Sequence, residues 1–188
     1  MDCYLETARL ILRRFTADDV DALYDLDADP AVTRYINGGR PTPREQVRDE
    51  LLPRWLAQYD DSPGFGRWAA VEKATGAFLG WFALTAEPGE PGTAELGYRL
   101  CRAAWGRGYA TEGSRALVDK GFAELGLRRV TANTMTVNAG SRRVMEKTGL
   151  RFLRTFFLDW PDQIDGGEHG DVEYELRYDE WVTGRTAV

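Results

Sequence analysis

The chain is short of the residues that carry the commonest metal and nucleophile chemistry: it has one histidine, His169, and two cysteines, Cys3 and Cys101. A lone histidine leaves no His-based metal cluster, and a Ser-His-Asp triad would have to run through His169. Two cysteines are too few for a disulfide framework, and no Cys/His group has ligand spacing, so no metal is expected. Positive charge is scarce too. The 24 Lys and Arg stand against 30 Asp and Glu, a net charge of -6, which argues against nucleic acid as a partner. No apolar run approaches membrane-spanning length and the N-terminus lacks a signal-peptide pattern, so a cytoplasmic protein with no membrane partner is expected. Hydrophobic residues make up 43% and charged residues 29% of the 188, which suits one domain over residues 1–188.

Hydrophobic periodicity then lays out the elements. Arg9–Arg14 reads as a strand, and Thr16 with Asp19 has capping-box spacing ahead of a helix that Asp29-Pro30 ends. Ala31–Ile36 reads as a short helical turn. Thr42-Pro43-Arg44-Glu45 predicts a helix with Thr42 as N-cap and Pro43 in its first position, buried through Val47, Leu51, Leu52, Trp55, Leu56 and Tyr59. Strands are predicted over 67–72, 78–84 and 93–100, a helix over 108–124, and a strand over 130–136. A helix from Asn138 to Thr148 and strands over 152–158 and 172–178 follow. The pattern is a mixed α/β (α+β) domain with several consecutive antiparallel strands.

One stretch joins a strand to a helix through two glycines: Glu95-Leu96-Gly97-Tyr98-Arg99-Leu100, then Trp105-Gly106-Arg107-Gly108-Tyr109-Ala110-Thr111-Glu112. A helix start offers unpaired N–H groups and the positive end of the helix dipole, which attract phosphate. Glycine lets an anion approach the backbone, and Arg107 adds a cation. The turn is no P-loop, because Tyr109 follows Gly108 where Lys is required, and no acid follows about twenty residues on, as a dinucleotide fold requires. A pyrophosphate-sized anion at 106–111 and a tight ligand-free turn are both open on these residues alone.

Three blocks stand in order along the chain: Leu5–Arg13, the Glu95–Glu112 stretch, and Asn138 with Ser141-Arg142-Arg143-Val144-Met145-Glu146-Lys147 and Gly149. Together they resemble the GNAT N-acetyltransferases, in particular the branch of the ribosomal-protein alanine acetyltransferases (RimJ/RimL-like). The resemblance implies a mixed, mostly antiparallel sheet with splayed central strands flanked by helices. It also implies acetyl-CoA as co-substrate in the gap between strands 93–100 and 130–136. The pantetheine arm would pair near Leu100, and the pyrophosphate would sit on the amides of Gly106 to Thr111. The implied binding set is Arg99, Leu100, Trp105, Gly106, Arg107, Gly108, Tyr109, Ala110, Thr111 and Asn138. Trp105 stands where the wider family has Gln or Arg, which shifts weight onto Arg107.

Acetyl transfer to an amine needs a base, a polarised carbonyl and help for the leaving thiolate. Glu95 is the candidate base, with a salt bridge or a substrate anchor as its alternative; His169 has a suitable intrinsic pKa but lies in a glycine-rich acidic loop. Many family members use a tyrosine acid where this chain has Met145, and Ser141 is the substitute the resemblance suggests. Ser141 is also simply the third residue of its helix, and Asn138 both cap and coenzyme contact. The acidic loop Asp159, Asp162, Asp165, Glu168 and Asp171 suits a cationic acceptor: a protein N-terminus or a small amine. A non-catalytic acyl-CoA sensor and a nucleotide-phosphate binder are the rival readings, and family likeness suggests a homodimer.

Overall fold

The computed structural model describes residues 3–158 and 164–186. Eight strands form one sheet in the order β1-β2-β3-β4-β5-β6-β8-β7. They are β1 Cys3–Glu6, β2 Leu10–Arg13, β3 Gly66–Glu72, β4 Phe78–Ala86, β5 Thr93–Leu100, β6 Arg129–Met135, β7 Arg151–Phe156 and β8 Asp171–Arg177. All neighbours run antiparallel except β5 and β6. Period-2 alternation gives the sheet two apolar sides. On one, Phe82, Leu84, Leu96, Val130 and Ala132 pack against Leu117, Val118 and Phe122 of α5 (Tyr109–Glu124) and Met145 of α6 (Ala139–Thr148). On the other, Ala69, Trp81 and Ala83 pack under the N-terminal helices α1 (Val20–Ala28) and α4 (Leu52–Asp61) through Leu23, Leu26 and Trp55. Leu117 is fully buried in the first core. Leu117→Ala is therefore expected to lower the unfolding free energy by about 2–5 kcal/mol in a denaturant titration.

Most predicted elements form, with ends shifted by a residue or two. The Thr16–Asp19 box is present, with the Thr16 N–H donating to Asp19 Oδ2 at 2.8 Å. Asp29 closes one helix and caps the next, α2 (Pro30–Asn37), by accepting from the Ala31 N–H at 2.9 Å. The segment after Thr42 departs from expectation. Its first helix, α3, spans Arg44–Gln46 with Pro43, not Thr42, at the N-cap; a π-helical turn at Val47–Leu51 then leads into α4. Pro53 lies in the first turn of α4, where its missing N–H cannot serve a regular ladder, and the wider turn ahead of it absorbs that loss. Strand β1 was not expected as a strand separate from the one that follows it, and helix α7 (Tyr178–Thr186) was not expected.

Candidate active site

The β5-to-α5 connection is a 3₁₀ turn, Arg102–Ala104, followed by Trp105 to Gly108. Gly106 and Gly108 both hold positive φ, 71° and 83°, so the backbone reverses there in a form other residues resist. Gly108 is the N-cap of α5 and gives no side-chain cap, so the first N–H groups of the helix stay uncapped by side chains. Arg107 is half exposed beside this opening, 3.5 Å from Glu72. A second cation arrives from the turn just ahead of β2: Arg9 donates to the Arg107 carbonyl at 2.9 Å, lies 4.3 Å over the Tyr109 ring and pairs with Glu112 at 2.6 Å. Burial works against the Glu112 charge, but hydrogen bonds from Thr7 and Arg9 outweigh it and hold the carboxyl below its usual range. The one acid in the first turn of α5 is thus neutralised, and the opening keeps its positive character. Tyr109 is buried, with its hydroxyl on Glu72.

The central strands fork. β5 and β6 pair only through Thr93–Arg129, Ala94–Val130 and Glu95–Thr131. Beyond Glu95, β5 pairs with β4 alone and β6 with β8 alone. Glu95 therefore stands at the crotch of the fork, on the sheet face it shares with Gly97 and Arg99. Its carboxylate is within 3.5 Å of Asn133 Nδ2 on the other branch. Burial, with Glu87 adding to it, pushes the Glu95 carboxyl above its usual range against the opposing pull of Asn133 and Arg67. The Thr131 hydroxyl, on the opposite branch in register with Glu95, is buried without a partner among the described residues.

On the other face, α6 opens beside the fork. Asn138 caps it, accepting from the Ser141 N–H at 3.2 Å while its Nδ2 donates to Thr134 at 3.1 Å. Ser141 is met by Tyr98 of β5, whose hydroxyl lies 2.9 Å from Ser141 Oγ and 3.1 Å from its carbonyl oxygen. Burial pushes the Tyr98 hydroxyl up to about 12, so it stays protonated at neutral pH and can donate. Met145 is buried in the core and offers no proton.

The predicted residues divide accordingly. Gly106 to Thr111 gather at the α5 opening, and Glu95, Ser141 and Asn138 at the fork. Arg99 does not join the anion turn; alternation turns it to the face of Glu95, where its Nη1 is held by Asp27 of α1. The Trp105 indole donates to the Leu100 carbonyl at 2.8 Å, the backbone expected to receive pantetheine. His169 lies exposed on the turn Gly167–His169 with Glu168 at 3.5 Å. Asp159 and Asp162 of the acidic loop lie outside the described residues, and Asp171 is buried rather than facing solvent. Sequence reasoning missed Arg9, Asn133 and Tyr98. Arg9 meets Glu112 across 103 residues, so no local spacing marks it. Tyr98 was within reach, because alternation sets it on the opposite face from Glu95.

The profile of the acetyltransferase (GNAT) domain matches residues 9–151. The chain belongs to the GNAT acetyltransferase family. The FsC-acetyl coenzyme A-N(2)-transacetylase of Aspergillus fumigatus is 36% identical over 186 residues, covering 95% of this chain and 77% of the fungal protein. A GNAT acetyltransferase structure from Bacillus anthracis superposes with a TM-score of 0.72 at 25% identity, covering 95% of this chain and 99% of that one. RimL, a ribosomal alpha-N-protein acetyltransferase solved with coenzyme A, shares the fold at a TM-score of 0.76 and 17% identity over 93% of this chain and 97% of its own. This acetyltransferase is thus an acyl-CoA-dependent N-acyltransferase, with acetyl-CoA as donor and an amine as acceptor. Among its described residues no helix is long and apolar enough to cross a membrane.

Proposed function

We propose that the acetyltransferase acts by direct attack in a ternary complex, with acetyl-CoA gripped at the α5 opening and its thioester delivered to the fork beside Glu95. The observation that carries this reading is the end of β5–β6 pairing at Glu95 itself. The uncapped N–H groups of Tyr109 to Thr111, with Arg107 and Arg9 beside them, suit the pyrophosphate. The pantetheine arm follows the unpaired edge of β5, displacing the Trp105 indole from the Leu100 carbonyl. Arg99 supports the acceptor side instead of the coenzyme.

An arriving ammonium gives one proton to Glu95, directly or through water, and becomes nucleophilic. Its nitrogen bonds to the thioester carbon, the C–S bond breaks, and the nitrogen's second proton ends on the departing sulfur. A carboxyl held above its usual range binds that first proton more readily than an ordinary glutamate. Asn133 and Thr131 line the same spot and can orient the amine. Ser141 donates a hydrogen bond to the leaving sulfur, and the Tyr98 hydroxyl fixes the serine rotamer. The acceptor is a primary amine, a protein N-terminus or a small molecule. The two free cysteines, Cys3 and Cys101, fit a reducing cytoplasm.

Ser141→Ala is expected to lower kcat with little change in acetyl-CoA affinity, and Tyr98→Phe to lower it less. Steady-state kinetics beside calorimetric titration with acetyl-CoA checks both; full turnover in Ser141→Ala removes the serine from the mechanism.

A further inference from the structure

The sheet face that holds Glu95 also carries a cation that the transfer chemistry leaves unused. Arg67 of β3 lies half buried, and among the described residues its guanidinium has a hydrogen bond to Gln58 Oε1 at 3.2 Å and no carboxylate in ion-pair range. It rests against two indoles, 5.2 Å from the Trp55 ring and 5.8 Å from the Trp81 ring. Arg99 approaches Trp81 at 5.3 Å. Two further donors in this cluster have no acceptor among the described residues: Trp81 Nε1, in a side chain more than nine-tenths buried, and Arg99 Nε. Burial makes Arg67 less willing to hold its charge, and Arg54 and Arg99 add to that while Glu95 offsets it.

Donors outnumber acceptors here, which is the reverse of an ordinary protein interior. A guanidinium removed from water without a counter-ion is costly, and persists where a ligand completes it. Arg67, Ala83 and Gly97 stand in register across β3, β4 and β5; the last two carry at most a methyl group, and the edge of the Trp81 ring lies over Gly97. Two strand spacings, about 10 Å, separate the backbones of Arg67 and Gly97. Glu95 is two residues before Gly97, on the same face.

We infer that the acceptor is a small amino-carboxylate, whose amine meets Glu95 at the fork and whose carboxylate is bound by Arg67. The nitrogens of Trp81 and Arg99 supply the remaining hydrogen bonds. This rests on the proposed placement of the amine at Glu95, and it replaces a purely cationic acceptor with a zwitterion. The acidic face of the fork takes the ammonium and the donor cluster takes the anion.

The test uses matched acceptors: phenylalanine with phenethylamine, leucine with isopentylamine and lysine with cadaverine, plus the amide of each amino acid. Coenzyme A release from acetyl-CoA is followed with the full chain. The wild type is expected to favour the free acid of a productive pair in kcat/KM by at least about 30-fold over its amide and its decarboxylated partner, as a buried charge-assisted contact supplies. Arg67→Met erases that preference, lowering the acid further than its amide or amine, and Arg67→Lys restores part of it. Because Arg67 has no carboxylate to lose, Arg67→Met is expected to keep the wild-type Tm or exceed it. The thermal shift of wild-type protein with phenylalanine, leucine or lysine against the matching amine reads the same preference without a variant. Equal efficiencies within every productive pair, or a preference that survives Arg67→Met, overturn the carboxylate assignment and leave amine acetylation standing. No coenzyme A release with any of these amines, while acetyl-CoA still binds, overturns the amine placement and the carboxylate assignment together.

Discussion

Glu95→Gln is expected to lower kcat/KM for the amine by about 10²- to 10⁴-fold, the range a positioned base contributes. Acetyl-CoA affinity should stay within a factor of about two, because the coenzyme's phosphates bind at the other end of the fork. The acid limb of the wild-type kcat/KM profile should lie above the usual glutamate range, because burial and Glu87 push this carboxyl up. Activity is then lost as pH falls through that raised pKa. Stability moves the opposite way. A carboxyl whose folded pKa is raised contributes stability that is fully present below the unfolded pKa and lost as pH rises through the folded one. At a pH above that raised pKa the ionised Glu95 burdens the fold, so the neutral, isosteric Gln should raise Tm there, and below the unfolded pKa the two proteins should melt alike. A variant that loses both turnover and Tm above the raised pKa would make Glu95 a structural ion rather than a base.

The second large effect is expected at Gly108. Its φ of 83° places a side chain in the left-handed region, and a Cβ there would come 3.4 Å from Arg9 Nη2. Gly108→Val should cost about 1–2 kcal/mol of backbone strain and shift the first amides of α5. The dissociation constant for acetyl-CoA should rise at least about tenfold. Gly126, at the other end of α5, has φ 69° and open space around it, so Gly126→Ala carries comparable strain away from the coenzyme. Calorimetry on both variants separates binding from stability: Gly126→Ala should melt earlier and bind normally. Equal affinity in Gly108→Val would detach the turn from the coenzyme.

How legible the site was follows from how local each part is. The turn from Trp105 to Thr111 could be read because its chemistry, two glycines and a helix start, is written in consecutive residues. The helix caps at Thr16 and Asn138 were legible for the same reason, since a cap bonds within three residues. The fork is a pairing property, and no spacing in 93–100 or 129–135 says where two strands part; the family resemblance supplied it. Arg9 reaches Glu112, Asn133 reaches Glu95 and Arg67 reaches Trp81 only through the tertiary fold, so sequence distance hides them. The region after Thr42 failed differently. A strong capping signal at Thr42-Pro43 drew the helix start one residue early, and Pro53, inside an apolar periodic run, was overlooked as the cause of a widened turn. Strand β1, four residues with no alternation in burial, gave periodicity nothing to detect.

The grip of the α5 opening on the coenzyme is tested most directly by a crystal structure of the acetyltransferase with coenzyme A. The pyrophosphate should lie within hydrogen-bond distance of the amides of Tyr109 to Thr111, flanked by Arg107 and Arg9. The sulfur should lie in the fork between β5 and β6, in reach of Ser141 and facing Glu95. Coenzyme A bound elsewhere with this opening empty, or β5 and β6 paired beyond Glu95 and Thr131 in the complex, would contradict the account.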